Sequence, residues 1–360
     1  MASHRVAIIG VGGVARKHAL ALHELDQAEL VAACCRTEDK GREFVDDHGG
    51  VWFPDYEQML DELKPDVAII TTPSGAHLEP VQACAERGVH VLCEKPLEIT
   101  TARIDRMLAA AKQHAIMLGG VFPRRYEPTV RVVYEAAAGG RFGDLAMVSG
   151  HMPWWRDDAY YAPDRWQGTR ALDGGGAFMN QAIHTVDAVQ WLAGMALGIP
   201  HETNPVEEVV AYTAKRGHDP DLIEVEDTGA ALLQFQGGAL GQLLATTSMY
   251  PGSRRRELIG GRGGTAEVIE DRLSVYQFTE ERPEDEATRE TYGQAGEAEG
   301  GAGDPMAIGH LNHMRNIKAF LNDITDGGHT HITAAEARVA VSVIEAIYAS
   351  TEAGKPVTPR

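Results

Sequence analysis

The sequence predicts an α/β fold in two parts. The first is a doubly wound parallel sheet. The second is an α+β domain built on a large, open, mostly antiparallel sheet. Three observations carry this expectation. Short apolar strands alternate with helical patterns through the first third of the chain, the rhythm of a parallel sheet covered on both faces. A glycine-rich turn, Gly10-Val11-Gly12-Gly13-Val14-Ala15, links the first strand to the first helix. From about Val206 the apolar runs become short period-two strands, with a hairpin signal at Gly237-Gly238.

Composition narrows the function classes. A chain of 360 residues has room for two domains and a sizeable core. Its formal net charge is -19, from 52 acids against 33 bases. That balance argues against nucleic acid, which needs a basic face, and against an anionic membrane surface. The four cysteines, Cys34, Cys35, Cys84 and Cys93, form no C-x-x-C pair and read as small buried hydrophobes. Met1 to Val6 shows no signal-peptide core, and no apolar run approaches a membrane span. The expectation is a cytoplasmic protein.

Arg5 to Ile9 is the first strand, and a helical pattern through Leu20, Leu22 and Leu25 follows the glycines. This is the G-x-G-x-x-G/A fingerprint in strand-turn-helix context. Gly10 permits the tight turn, Gly12 lets a pyrophosphate approach the backbone, and Ala15 lets helix and strand pack closely. Gly13 and Val14 open the helix, whose free N–H groups suit phosphates. Residues 1–123 therefore read as an NAD(P)-binding Rossmann domain. The next strand, Glu29 to Cys34, leads to Cys35-Arg36-Thr37. NAD-selective sites place a carboxylate there, on the ribose hydroxyls. Arg36 can instead pair with a 2′-phosphate, which favours NADP(H), with NAD(H) as the alternative. Arg36 could also be a surface residue, leaving Glu38 or Asp39 for a ribose.

The alternation continues. Val51 to Phe53 is a strand, Pro54 to Leu63 a helix, and Val67 to Ile70 a strand followed by Thr71-Thr72-Pro73-Ser74. His77 to Arg87 is a helix stopped by Gly88, and Val89 to Leu92 is the fifth strand. Cys93-Glu94-Lys95-Pro96 follows it. In such a sheet the strand C-termini open on the ligand crevice, so Lys95 is a charge placed to act as an acid or base. Pro96 fixes the backbone after it. Thr100 or Thr101 caps a helix through Lys112, and Ile116 to Leu118 is the sixth strand. His77 either faces the cofactor or fills a polar position at its helix start.

The glycine turn, Thr72-Pro73 with His77, and Cys93-Glu94-Lys95-Pro96 together resemble the glucose–fructose oxidoreductase/inositol dehydrogenase family, Gfo/Idh/MocA. The run from Asp173-Gly174-Gly175-Gly176 through Asn180, His184 and Asp187 resembles it too. So does the end, Glu345-Ala346-Ile347-Tyr348 with Gly354-Lys355-Pro356. The resemblance implies cofactor contacts at Gly10, Gly12, Gly13, Val14, Arg36, Thr37, Thr72, Pro73, His77, Glu94 and Lys95. It implies Lys95 and His184 as the catalytic pair. Most characterised members carry Asp at the position of Asn180, so Asn180 is a departure. It also implies a substrate-facing Arg/Tyr segment at Arg124 to Tyr126, for which an ordinary interdomain turn is the alternative.

Residues 124–360 then read as the substrate-binding and oligomerisation domain. Leu145 to Met152 is a strand. The loop after it, Pro153 to Trp166, holds Trp154, Trp155 and Trp166 with Tyr160 and Tyr161. Flat rings with polar neighbours suit a sugar, so Trp155, Tyr161 and Trp166 are candidate substrate contacts. Packing into the core is the competing reading. The glycine run opens a helix to about Leu192, on which Asn180, His184 and Asp187 share one face. Asn180 cannot be a base but can hold a substrate hydroxyl. Imidazole is the natural base near neutral pH. Asp187 is placed to orient the His184 ring, or to serve as a solvated or capping acid. Candidate sheet strands run from Glu207 to Ile269.

Thr279 to Asp304, with nine acids against Arg282 and Arg289, reads as a flexible acidic loop. His310 to Ile324 is a helix. Its His310 and His313 show no third metal ligand, so no metal is expected. Ala334 to Ser350 is the last helix.

The expected activity is hydride transfer between nicotinamide and a secondary alcohol or ketone of a sugar, sugar derivative or polyol. A dinucleotide-sensing regulator and an NAD-dependent glycoside-cleaving enzyme are the alternatives. The expected assembly is a homodimer or homotetramer through the C-terminal sheet.

Overall fold

The computed structural model describes residues 3–294 and 309–360. The chain forms two compact units, Met1–Pro123 with Gly309–Arg338, and Arg124–Ile308 with Val339–Arg360.

The first unit is a six-stranded parallel sheet in the order β3-β2-β1-β4-β5-β6. Its strands are β1 (His4–Ile9), β2 (Ala28–Cys34), β3 (Val51–Phe53), β4 (Val67–Ile70), β5 (His90–Cys93) and β6 (Leu118–Gly120). Its helices are α1 (Gly13–His23), α2 (Glu38–His48), α3 (Tyr56–Leu63), α4 (Leu78–Glu86) and α5 (Thr101–Gln113). Strands flanked by helices on both sides are apolar throughout. All four residues of β4 are buried. Asp55 caps α3 by accepting from the Gln58 N–H at 2.9 Å, and Thr100 caps α5 through Arg103 at 3.3 Å.

β6 lies two residues later than the sequence suggests. The strand takes in Gly119 and Gly120. A Cβ on Gly119 would sit 2.9 Å from the Phe320 ring, and one on Gly120 would sit 2.8 Å from the Ala337 Cβ. These glycines admit two helices that the sequence order places far away.

A single break at 123/124 leaves residues 309–338 in the wrong unit. The helix α9 (Leu311–Asp326) puts Ile317, Phe320 and Leu321 into the core beside Val6, Ile8, Ala15 and Leu22. Its apolar face covers the parallel sheet and so belongs with it.

The second unit is a seven-stranded sheet, β13-β12-β11-β7-β10-β9-β8. The strands are β7 (Leu145–Pro153), β8 (Val206–Ala214), β9 (Thr228–Phe235), β10 (Leu240–Thr246), β11 (Arg256–Gly261), β12 (Gly264–Ile269) and β13 (Arg272–Phe278). Among the described residues of this sheet, only the β7–β10 pair is parallel. One face carries α6 (Pro128–Ala138) and α7 (Ile183–Ala196). β9 alternates buried and exposed residues, so its other face is bare among the described residues. Met147, Tyr212, Leu232 and Leu240 are the exposed large side chains there.

The acidic segment is not a loop where it is described. Pro283–Tyr292 is a helix, α8. Proline occupies its first turn with Glu284, Asp285 and Glu286, which suit the positive end of a helix. Asp285 is buried and paired with Arg141. Residues 295–304 of that segment lie outside the described residues. The last helix, α10 (Ala334–Ala353), begins in the first unit and continues in the second.

Candidate active site

The dinucleotide fingerprint folds as its glycines require. Gly10 has φ +103°, and a Cβ there would lie 2.6 Å from the Thr72 backbone nitrogen. The Thr71 hydroxyl donates to the Gly10 carbonyl at 2.5 Å, locking the turn to the end of β4. Gly12 is exposed, and nothing lies within 4 Å of where its Cβ would be. The first turn of α1 holds no acid and no side-chain cap. Its N–H groups are therefore available to an anion, and the residues present fit a dinucleotide pyrophosphate. Val14 is half-buried at the same turn. Thr72 and Pro73 are half-buried beside Gly10, and the Thr72 hydroxyl donates to the Ala76 carbonyl at 2.9 Å.

Arg36 and Thr37 are exposed at the end of β2, before α2. Arg36 makes no ion pair among the described residues, whereas Glu38 is tied to Arg42 at 2.8 Å. A cation stands where NAD-selective sites carry a carboxylate.

From Val91 to Glu98 every residue is buried except Lys95. Two expected cofactor contacts nearby, His77 and Glu94, are hydrogen-bonded within the protein. His77 is 1% exposed. Its Nδ1 faces the Pro96 and Leu97 carbonyls at 3.0 and 3.2 Å, and its Nε2 faces the Thr72 carbonyl at 2.8 Å. It ties the β4 loop to the lysine turn. Glu94 also points inward. Its Oε1 lies 2.8 Å from Nε2 of His18, and its Oε2 accepts the Lys95 N–H at 3.0 Å. Burial alone would push the Glu94 carboxyl up, but the His18 hydrogen bond and its electrostatic interactions with His18, His313 and Lys95 outweigh it and hold it at about 2.

In the second unit the glycine run leads into a π-helical turn, Ala177–Gln181, before α7 begins at Ile183. Asn180 and His184 therefore do not share a continuous α-helical face, as the spacing suggested. The buried Glu226 carboxylate starts this turn. It accepts the Gly176 and Phe178 N–H groups, both at 2.9 Å, and the Tyr348 hydroxyl at 2.9 Å. Burial pushes Glu226 above the usual carboxylate range despite these bonds.

Asn180 is buried inside a polar network. Its amide donates to the Asp173 carboxylate, which also takes the Gly168 N–H at 2.8 Å. Its oxygen accepts from Gln181 at 2.6 Å and from the Tyr160 hydroxyl at 3.3 Å. Gln181 accepts in turn from Arg156 at 2.8 Å. From Gly175 to Gly194 every residue is buried except His184, which is half-buried.

Asp187 is engaged by another partner. Arg125 holds both its oxygens, at 2.8 and 2.7 Å, in a buried pair. Arg124 is likewise consumed. It is 3% exposed and joined to Glu127 and Glu257. Tyr126 is half-buried beside them.

The aromatic loop divides. Tyr161 is 4% exposed, and its hydroxyl meets the Thr247 hydroxyl at 3.0 Å, so it is a core residue. Trp155 is half-buried, with the His218 ring 6.1 Å away and nearly parallel, and Tyr250 edge-on at 5.5 Å. Trp166 is half-buried.

A family model for oxidoreductases with an NAD-binding Rossmann fold matches residues 4–120, and one for the Gfo/Idh/MocA C-terminal domain matches residues 130–267. The chain belongs to the Gfo/Idh/MocA family of oxidoreductases.

Similarity to individual Gfo/Idh/MocA proteins is spread over the chain. The myo-inositol 2-dehydrogenase of Thermotoga maritima is 28% identical, over 72% of this chain and 73% of that protein. The D-glucoside 3-dehydrogenase of Escherichia coli is 25% identical, over 98% and 97%. The crystal structure of the WlbA dehydrogenase from Bordetella pertussis, in complex with NADH and UDP-GlcNAcA, matches with a TM-score of 0.84 at 29% identity, covering 99% of this chain and 98% of that one. The WlbA structure from Chromobacterium violaceum, with the same two ligands, gives 0.85 at 30% identity, over 99% and 96%.

Sequence reasoning did not single out the residues that pack behind these segments: His18 in the first unit, and Asp173, Glu226 and Gln181 in the second. Asp173 opens the glycine run and was within reach of sequence reading. Glu226 meets the π-turn from 48 residues away along the chain, and no local spacing announces it.

Proposed function

We propose that the protein transfers hydride between nicotinamide and a secondary alcohol or ketone of a sugar, sugar derivative or polyol. Lys95 and His184 are the proton-transfer pair. The observation that carries this reading is their exposure. Each is the one accessible side chain in an otherwise buried segment, Val91 to Glu98 and Gly175 to Gly194. A buried backbone that releases a single protonatable group holds it firmly while leaving it able to meet substrate. The activities of the relatives, on inositol and on a glucoside, support the substrate class.

The nicotinamide supplies the hydride acceptor or donor. His184 takes the hydroxyl proton on oxidation and returns it on reduction. Lys95 polarises the same oxygen. Asn180 is no base, and its oxygen already accepts two hydrogen bonds. It contributes a fixed amide dipole braced by Asp173. Arg36 favours NADP(H), with NAD(H) as the alternative. The bare face of the second unit's sheet, with Tyr212 and Leu232 exposed, favours a homodimer or homotetramer through that face. No helix among the described residues is long and apolar enough to cross a membrane. Cys34, Cys84 and Cys93 are buried free thiols, which agrees with a cytoplasmic reading.

The test is a dehydrogenase screen over free sugars, inositols, sugar acids and nucleotide-linked sugars with both cofactors. Turnover at the nicotinamide absorbance with one of these classes is expected. Cofactor binding without turnover on any of them would leave a dinucleotide-sensing regulator instead.

A further inference from the structure

His18, Glu94 and His313 are buried together in the first unit, at 0%, 5% and 8% exposure. None of them takes part in the proton transfer. Nε2 of His18 lies 2.8 Å from Oε1 of Glu94, and Nε2 of His313 lies 3.9 Å from the same oxygen. The two imidazoles meet edge to face, with centroids 5.3 Å apart. The three ligand atoms fall within 4.8 Å of one another, a set a divalent cation could use. A metal-bound imidazole, however, normally passes its other ring N–H to an acceptor. Neither Nδ1 has such a partner among the described residues. The cluster fits a mechanical role better.

The contacts form a short chain. His18 stands on α1, the helix whose N-terminus suits the dinucleotide phosphates. Glu94 is ionised and can only accept, so Nε2 of His18 carries the hydrogen between them. The other Glu94 oxygen accepts the backbone N–H of Lys95 at 3.0 Å. One carboxylate thus joins α1 to the backbone of the lysine. His77 holds the turn from the opposite side, through the Pro96 and Leu97 carbonyls. A lysine side chain is a flexible four-carbon stem, so the accuracy of its ammonium depends on how well its backbone is fixed. The His313 ring packs edge to face with that of His18.

We propose that His18 is a positioning residue that sets Lys95 from the cofactor-binding helix through Glu94. This rests on Lys95 being the catalytic lysine, as proposed above.

The test is a double-mutant cycle in the full chain, using the substrate and cofactor found by the screen. His18→Ala should lower kcat by up to about 100-fold. Dinucleotide affinity, read by fluorescence, should hold. His18→Gln should restore most of the rate, because its amide N–H reaches as far as Nε2. His18→Met, of similar length without the donor, should not; this pair keeps the comparison sound if the alanine variant folds poorly. In a Lys95→Ala background, His18→Ala should cost less than about twofold more, since both act through one group. Wild-type turnover in His18→Ala, equal rates in the Gln and Met variants, or losses that multiply would overturn this inference alone. Full turnover in Lys95→Ala would overturn the Lys95 assignment and this inference with it.

Discussion

Asp173 accepts a hydrogen bond from the Asn180 amide inside the second unit. Position 180, where the family resemblance implies a carboxylate, holds an amide, and a buried carboxylate stands directly behind it. Asp173→Asn should therefore disturb more than one residue. Losing a buried hydrogen bond to a charged group costs about 1.5–3 kcal/mol, which thermal unfolding should show as a lowered midpoint. Asn180→Ala should lower the same midpoint by less, and the double variant should fall short of the sum.

Lys95→Ala and His184→Ala should each reduce kcat by about 10²–10⁴-fold, the usual contribution of a positioned proton-transfer group. Cofactor affinity, measured by fluorescence titration, should stay near wild type. Unchanged turnover in both would sink the proposed pair.

Arg36→Asp should weaken NADP(H) binding by about 10- to 100-fold, the loss of a charge-assisted phosphate contact. NAD(H) affinity should hold or improve. Dissociation constants for both cofactors on both proteins decide it, and an equal loss for the two would contradict a 2′-phosphate role.

The first unit should be acid-labile for a specific reason. Burial holds His313 down at about 3, and Glu94 is held at about 2. Below the ordinary histidine value the unfolded chain takes up a proton that folded His313 refuses. Below the ordinary carboxylate value the same holds for Glu94. Both terms are fully present at neutral pH and are lost as pH falls, by at most roughly 1.4 kcal/mol per pH unit for each group. His313→Phe should flatten the stability curve between about pH 6.5 and 3. Denaturant midpoints over that range are the readout, and an unchanged slope would rule out His313 as the cause.

Arg125 and Asp187 form a buried pair beside the Trp191 ring. Removing either alone leaves an uncompensated charge, and Asp187→Ala should cost about 3–5 kcal/mol in chemical denaturation. Replacing both, as Arg125→Met with Asp187→Leu, should recover most of that. If turnover survives in the double variant, Asp187 is confirmed as a packing partner with no part in orienting His184.

The sequence made the parallel sheet legible because its strands are short, wholly apolar and punctuated by Gly10, Pro65 and Gly88. The family motifs likewise marked Lys95 and His184 before any geometry was known. Three things resisted. The sixth strand was placed short of Gly119 and Gly120 because the helices that need these glycines lie some 200 residues later in the chain. The helix α8 was hidden by its own acids, which read as disorder until Arg141 is seen to anchor Asp285. Arg124, Tyr161, His77 and Glu94 looked functional because polar and aromatic residues near a motif usually are. Their partners, among them Glu257, Thr247, Pro96 and His18, show each already engaged.

The return of residues 309–338 to the first unit bears on how the molecule comes to exist. On the ribosome, the parallel sheet emerges first and must wait for the rest of the polypeptide before Ile317, Phe320 and Leu321 arrive to seal it. A fragment ending at Pro123 would carry a raw apolar surface and should aggregate or stay partly molten. Excising the dinucleotide-binding half for study therefore calls for a spliced gene, with 309–338 rejoined to the front segment through a linker. A simple truncation removes the lid of its own core.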